Sequence, residues 1–197
     1  TCGVMRATSA PRERHDGLHM GCARMLSRVG VGFMRLLACL PLAWVRAIGR
    51  VLGWLLFGLA VSRRRVVQVN LALCFPDLPK SVRRSMAMQT FVHFAQAWLD
   101  RGWLWHGSAS MLRQRLRLRG ALQELQGNQA TVLFAPHFVG LDAGWTALTQ
   151  QLPRAFTTIY SNQVDPTLDQ WILSGRKRFG TPRLFGRDDG LKPVVQA

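Results

Sequence analysis

Residues 25–61 are strongly apolar but punctuated by Arg28, Arg35, Arg46 and Arg50. The longest charge-free stretches, 36–45 and 51–62, fall short of the roughly 18–20 apolar residues that cross a bilayer cleanly. Arg35, Arg46 and Arg50 are 11 and 4 residues apart. At about 100° per residue that spacing places them on one helical face. Pro41 is expected to break the helix in two. The pattern predicts a helical segment lying at, or dipping into, a membrane surface with its arginines toward phosphates; a tilted span is the alternative. The run Arg63-Arg64-Arg65 follows as a juxtamembrane basic patch would. A secretory signal peptide fits less well, because the segment is long and Arg-studded and no small-residue cleavage site follows.

Farther along, Cys74-Phe75-Pro76-Asp77 breaks the chain, and Ser81 is expected to cap a helix from Val82 to about Asp100. The apolar stripe of that helix is Val82, Met86, Phe91, Phe94, Ala95, Trp98 and Leu99. Arg113, Arg115, Arg117 and Arg119 alternate with Leu112, Leu116 and Leu118, which suits a strand with one charged face. Residues 131–135 (TVLFA) read as a strand buried on both faces. Pro136-His137 ends it, and a helix is expected over about 140–150. A second strand covers 156–160. Asp165-Pro166 is a cap followed by proline at the first helical position, opening a helix to about Phe179. Arg183-Leu184-Phe185 starts a third strand. Strands alternating with helices predict an α/β fold with a mostly parallel sheet. The expected organisation is a disordered leader over 1–24, with a natural start at Met20 or Met25, an amphipathic membrane anchor over 25–62, and an α/β domain over 63–197.

Charge narrows the partners. Lys and Arg number 26 against 10 Asp and Glu, a net charge of +16, which calls for an anionic partner. Seven Trp and ten Phe beside one Tyr favour a lipid interface. No recognised nucleic-acid motif is present, so no nucleic-acid partner is expected. The four cysteines (Cys2, Cys22, Cys39 and Cys74) show no CxxC spacing, and Cys39 and Cys74 are expected to be buried free thiols. His15, His19 and Cys22 have a spacing a metal could use but no fourth ligand, so no metal site is expected. Gly49 and Gly53 form a GxxxG that is expected to permit close packing on the chain's own core.

His137 follows a buried strand directly, where α/β folds place their ligand sites. Asp142 lies five residues on, in the expected first turn of the next helix. From there its carboxylate could turn back to hydrogen-bond the imidazole, fixing one tautomer and favouring the imidazolium formed when the ring accepts a proton. Such a base could deprotonate a hydroxyl as it attacks a thioester. Spacing alone favours a plainer reading: a loop histidine, and an aspartate placed by the helix dipole.

The surroundings add a resemblance. The blocks LPLAWVRAIGRVLGWLLF (40–57), RRRVVQVNLALCFPDL (63–78), APHFVGLDAG (135–144), YSNQVDPTLDQWILSGRKRFG (160–180) and RLFGRDDGLKPVVQA (183–197) together resemble the lipid A late acyltransferases, the lauroyl and myristoyl transferases of Gram-negative bacteria. The resemblance implies an α/β fold of the glycerolipid-acyltransferase type preceded by a membrane-associated helical segment, at the cytoplasmic face of the bacterial inner membrane. It implies an acyltransferase that moves a fatty acyl chain from acyl carrier protein to a hydroxyl of an anionic glycolipid, a lipid A precursor, without a cofactor. His137 would be the general base, Asp142 its orienting carboxylate, and Arg176 an active-site arginine for an acceptor phosphate or the oxyanion. Arg187 and Arg178 are candidates for substrate binding. The chain begins at Thr1 and stops at Gln196-Ala197, whereas the family continues with further strands and an acidic motif. The sequence therefore reads as a C-terminally truncated member with an incomplete sheet. Its alternatives are an acyltransferase for another lysolipid, or an inactive membrane-binding protein.

Overall fold

The computed structural model describes residues 13–127, 129–190 and 192–195, with backbone alone for 13–24 and 193. Four helices come first: α1 (Glu13–Leu37), α2 (Leu42–Leu59), α3 (Val61–Cys74) and α4 (Lys80–His106). A short α5 (Ala109–Arg115) and a 3₁₀ turn lead to α6 (Leu141–Gln151), β1 (Thr157–Tyr160), α7 (Pro166–Arg176), β2 (Arg183–Gly186) and α8 (Lys192–Val195). The result is a mostly helical α/β arrangement with one small parallel sheet, in which β1 pairs with β2 from Thr157↔Arg183 to Tyr160↔Gly186.

Pro41 divides the N-terminal helices as expected. The last carbonyls of α1, Arg35, Leu36 and Leu37, are taken by the amides of Ala38, Cys39 and Leu40, and Pro41 occupies the N-cap of α2. Helix α1 begins at Glu13, inside the stretch expected to be a disordered leader, while residues 1–12 lie outside the described residues. The candidate ligands His15, His19 and Cys22 fall where no side chain is described.

Helix α4 is the hub. Ala87, Phe91, Ala95, Leu99, Trp103, Leu104 and Trp105 are all buried on it. Pro79, not Ser81, is its N-cap, and the turn before it is held by Arg83, whose Nη1 donates to the carbonyls of Phe75 and Pro76. Helix α2 packs against α4 through Gly49 and Gly53, the pair whose spacing suggested a close approach within the chain. A Cβ on Gly53 would lie 2.4 Å from the Val92 Cα, and one on Gly49 would lie 2.6 Å from the Gln96 Cγ. Elsewhere α2 exposes large apolar side chains (Trp44, Val51, Trp54, Leu55, Leu59), and the helix is long and apolar enough to cross a bilayer, with mean hydropathy 1.5.

Several expectations need correction. Arg46 does not face outward with Arg35 and Arg50: its Nη2 sits 3.0 Å from Asp100 Oδ2 on α4, because a carboxylate buried between helices needs a cationic partner. Asp100 also accepts from Trp103 Nε1 at 2.9 Å, yet burial outweighs both partners and holds its carboxyl above the usual aspartate value. Residues 112–119 do not form a strand. Ser108 caps α5 by accepting from the Met111 amide, and Leu112 is fully buried in the core. Leucines four apart share a face in a helix as well as in a strand, so that spacing did not discriminate. Cys39 and Cys74 are free but exposed.

The largest departure is at 131–135. Among the described residues nothing pairs with this segment, and Val132 and Phe134 are 99% and 88% exposed. An apolar run becomes a buried strand only where neighbouring strands satisfy its amides and cover its faces, and among the described residues β1 and β2 pair only with each other.

Candidate active site

The residues 136–142 form a compact connection into α6. The Phe138 amide donates to the Pro136 carbonyl at 2.7 Å, closing a γ-turn around His137. Gly140 then adopts φ 91° as the N-cap of α6. No Cβ would clash there, so the requirement for glycine is one of backbone conformation alone. Asp142 falls in the first turn of α6, where the helix dipole favours a carboxylate.

Side chains from two other helices converge on that carboxylate. Arg101 of α4 donates through Nε to Asp142 Oδ2 at 2.7 Å, and Arg176, the last residue of α7, donates through Nε to Oδ1 at 3.0 Å. The Asp142 side chain is 11% exposed. A cation at the end of α7 is itself favoured by that helix's dipole, and Trp145 Nε1 anchors the Arg176 carbonyl at 2.8 Å. Helix α7 starts as its sequence predicts, with the Asp165 carboxylate accepting from the Leu168 amide and Pro166 at the first position.

His137, Asp142 and Arg176 line one cavity of about 390 Å³ together with Arg101. Phe94, Ala97, Trp98, Leu104, Phe138 and Leu141 give it an apolar wall. The imidazole is exposed and makes no hydrogen bond to any described residue. The expected His137–Asp142 hydrogen bond is therefore not formed. Both carboxylate oxygens are instead engaged by guanidinium groups, which pair full positive charges with the carboxylate. Chemically, the arrangement offers an accessible base at the rim, a cationic floor with one positive charge in excess, and an apolar wall.

The other two candidate arginines do not reach this cavity. Arg178 donates through Nη1 to the Leu104 carbonyl at 2.8 Å and through Nη2 to the Gly107 carbonyl, closing the end of α4. Burial there lowers its pKa from the ordinary guanidinium value. Arg187 is exposed at the start of a 3₁₀ turn after β2. Arg101 is the site residue that sequence reasoning missed. Its signal was faint: a single basic residue within an aromatic stretch of helix, three residues from Trp98 and four from Trp105.

Residues 20–197 match the sequence family described as bacterial lipid A biosynthesis acyltransferase. Among curated proteins, a lipid A biosynthesis acyltransferase of Haemophilus influenzae is 31% identical over 173 residues, covering 86% of this chain and 54% of that protein. The lipid A biosynthesis myristoyltransferase of Escherichia coli is 28% identical, covering 86% of this chain and 53% of its own length. The lauroyltransferase of the same organism is 25% identical, covering 87% and 56%. The chain thus spans about half the length of the curated relatives it matches. No solved structure matches it.

Proposed function

The chain belongs to the bacterial lipid A biosynthesis acyltransferase family, and on that premise we propose that it transfers a fatty acyl chain from acyl carrier protein to a hydroxyl of a lipid A precursor, with His137 as general base. The observation that carries this reading is the convergence of His137, Asp142 and Arg176 on one cavity with an apolar wall. In the proposed step the acceptor hydroxyl gives its proton to the imidazole as its oxygen attacks the thioester carbonyl carbon. The C–S bond then breaks, and the leaving thiolate takes the proton back from the imidazolium. Arg176 offsets the charge that collects on the carbonyl oxygen. Asp142 fixes Arg176 and compensates two guanidinium charges that would otherwise repel each other at the cavity floor.

An acceptor other than a lipid A precursor keeps the same chemistry, and the acyl and headgroup pockets would decide between them. Placement at the cytoplasmic face of the inner membrane is supported by α2 and by the exposed apolar side chains of α1 and α3 beside Arg63 and Arg65. A glycerolipid-acyltransferase type of sheet belongs to the same proposal.

The test is transfer of labelled acyl chains from acyl carrier protein to a lipid A precursor by membranes carrying this chain. His137→Ala is expected to lower transfer by about 10²–10⁴-fold at unchanged protein level. Full activity in that variant removes the assigned base. Absence of transfer by the parent chain with a lipid A precursor, but not with another lysolipid, moves the acceptor. Absence with both leaves a membrane-binding protein without the chemistry.

A further inference from the structure

Helix α5 and the residues just after it carry four arginines, at 113, 115, 117 and 119. One of them turns inward: the Arg115 guanidinium carbon lies 5.4 Å from the centroid of the Trp103 ring. Arg113, Arg117 and Arg119 are exposed, and their side chains make no hydrogen bond or ion pair with any described residue. The nearest acidic residue along the chain, Glu124, is exposed and makes no ion pair with a described residue either. The backbone beneath these charges is fixed. Leu112 is fully buried and Ser108 caps α5. The side-chain amides of Gln150 and Gln151, at the end of α6, donate to the carbonyls of Ala109 and Leu116 at 3.0 and 2.9 Å. At Leu116 the chain becomes extended, and burial then alternates: Leu116 and Leu118 are half-buried, Arg117 and Arg119 exposed.

What accompanies the charges narrows the partner. Between Phe94 and Val132 no large apolar side chain of the described residues is exposed, whereas α1, α2 and α3 each expose several. A surface that enters a bilayer needs apolar side chains beside its basic ones, and one that holds single-stranded nucleic acid needs rings on which bases stack. This surface offers neither. Forked guanidinium donors in polar surroundings suit carboxylates spread over the surface of another protein.

We infer that Arg113, Arg117 and Arg119 form a docking surface for an acidic protein, the acyl carrier protein of the proposed reaction. The name of the partner rests on that reading; its acidic chemistry rests on the surface itself. The placement suits a tethered donor. Roughly 14 Å of helix separates Asp142 at the cavity from Gln151, which holds Leu116. A carrier seated there presents its thioester to the cavity on a flexible arm, while its own acidic surface stays on the arginines.

The test is binding of fluorescently labelled acyl carrier protein to the full chain in phosphatidylcholine nanodiscs, read by anisotropy, together with donor kinetics. Reversing all three charges (Arg113→Glu, Arg117→Glu and Arg119→Glu) is expected to weaken binding about 10- to 100-fold and to flatten its salt dependence. KM for the carrier-borne donor should rise by the same factor at unchanged kcat, while transfer from free acyl phosphopantetheine keeps the parent rate. A fold defect would lower both. If circular dichroism shows the reversed chain unfolded, the triple change to Gln decides, with a smaller loss expected. Carrier binding unchanged in a folded variant overturns the docking surface. So does weakened attachment to phosphatidylglycerol vesicles with carrier binding intact, which would make the arginines a lipid contact. Carrier binding that depends on the three arginines, but without transfer, sinks the acyl-transfer reading alone. Transfer with carrier binding indifferent to them sinks the docking surface alone.

Discussion

The second half of α4 and the segment 131–139 are both aromatic-rich apolar runs, and their fates are opposite. In α4, Leu99, Trp103, Leu104 and Trp105 are buried against α1, α2 and α7, and even the polar Gln96 and Asp100 find partners there. In 131–139, Val132, Phe134, Phe138 and Val139 stand exposed around the histidine that carries the proposed chemistry. Apolar composition sets what a segment gains by being covered. Whether it is covered depends on what the rest of the chain brings to it. Here the helical hub provides the rigid cationic floor, while the base sits on the sparsely packed side, free to meet a substrate.

Removing apolar bulk from each region tests that contrast most directly. Leu99→Ala in the hub is expected to cost about 2–5 kcal/mol by thermal or denaturant unfolding, since it leaves a cavity between α1, α2 and α4. A cost under about 1 kcal/mol would mean that the hub is looser than its burial indicates. An intermediate effect is expected from acid. His106 Nε2 accepts from Trp171 Nε1 at 2.9 Å, which requires the neutral ring. Burial first, then the charges of Arg35 and Arg178, lower its pKa below the ordinary 6.5. The unfolded chain then takes up the proton first, so stability is complete above about pH 6.5 and declines as pH falls below it. His106→Phe should flatten that decline; an unchanged slope would place its origin elsewhere. The smallest change is expected from Val132→Ala, within about 0.5 kcal/mol, because the side chain is already in solvent. A loss as large as that of Leu99→Ala would show that 131–135 is covered in solution.

Much of the helical part was legible in advance. Pro41, Pro166 and the capping carboxylate of Asp165 act through local chemistry, and the structure uses them as local rules dictate. The glycine pair at 49 and 53 was readable as a contact, because absence of a side chain is meaningful in any close crossing. Residues 112–119 were misread, since a period of four serves helix and strand alike. The candidate site was half legible. His137, Asp142 and Arg176 line one cavity, but the partner of Asp142 was misassigned and Arg101 was overlooked. Arg101 lies 41 residues from Asp142, and no spacing rule reaches across that separation.

By itself the sequence determined the elements whose causes are local, where caps, prolines and apolar periodicity act over a few residues. It also determined a large positive charge and an apolar N-terminal helical segment. Only the tertiary structure decided which charges meet: Arg46 with Asp100, and Arg101 and Arg176 with Asp142. The same holds for which apolar faces are covered. Burial and ion pairing belong to pairs of surfaces, and a pair exists only once distant parts of the chain have been brought together.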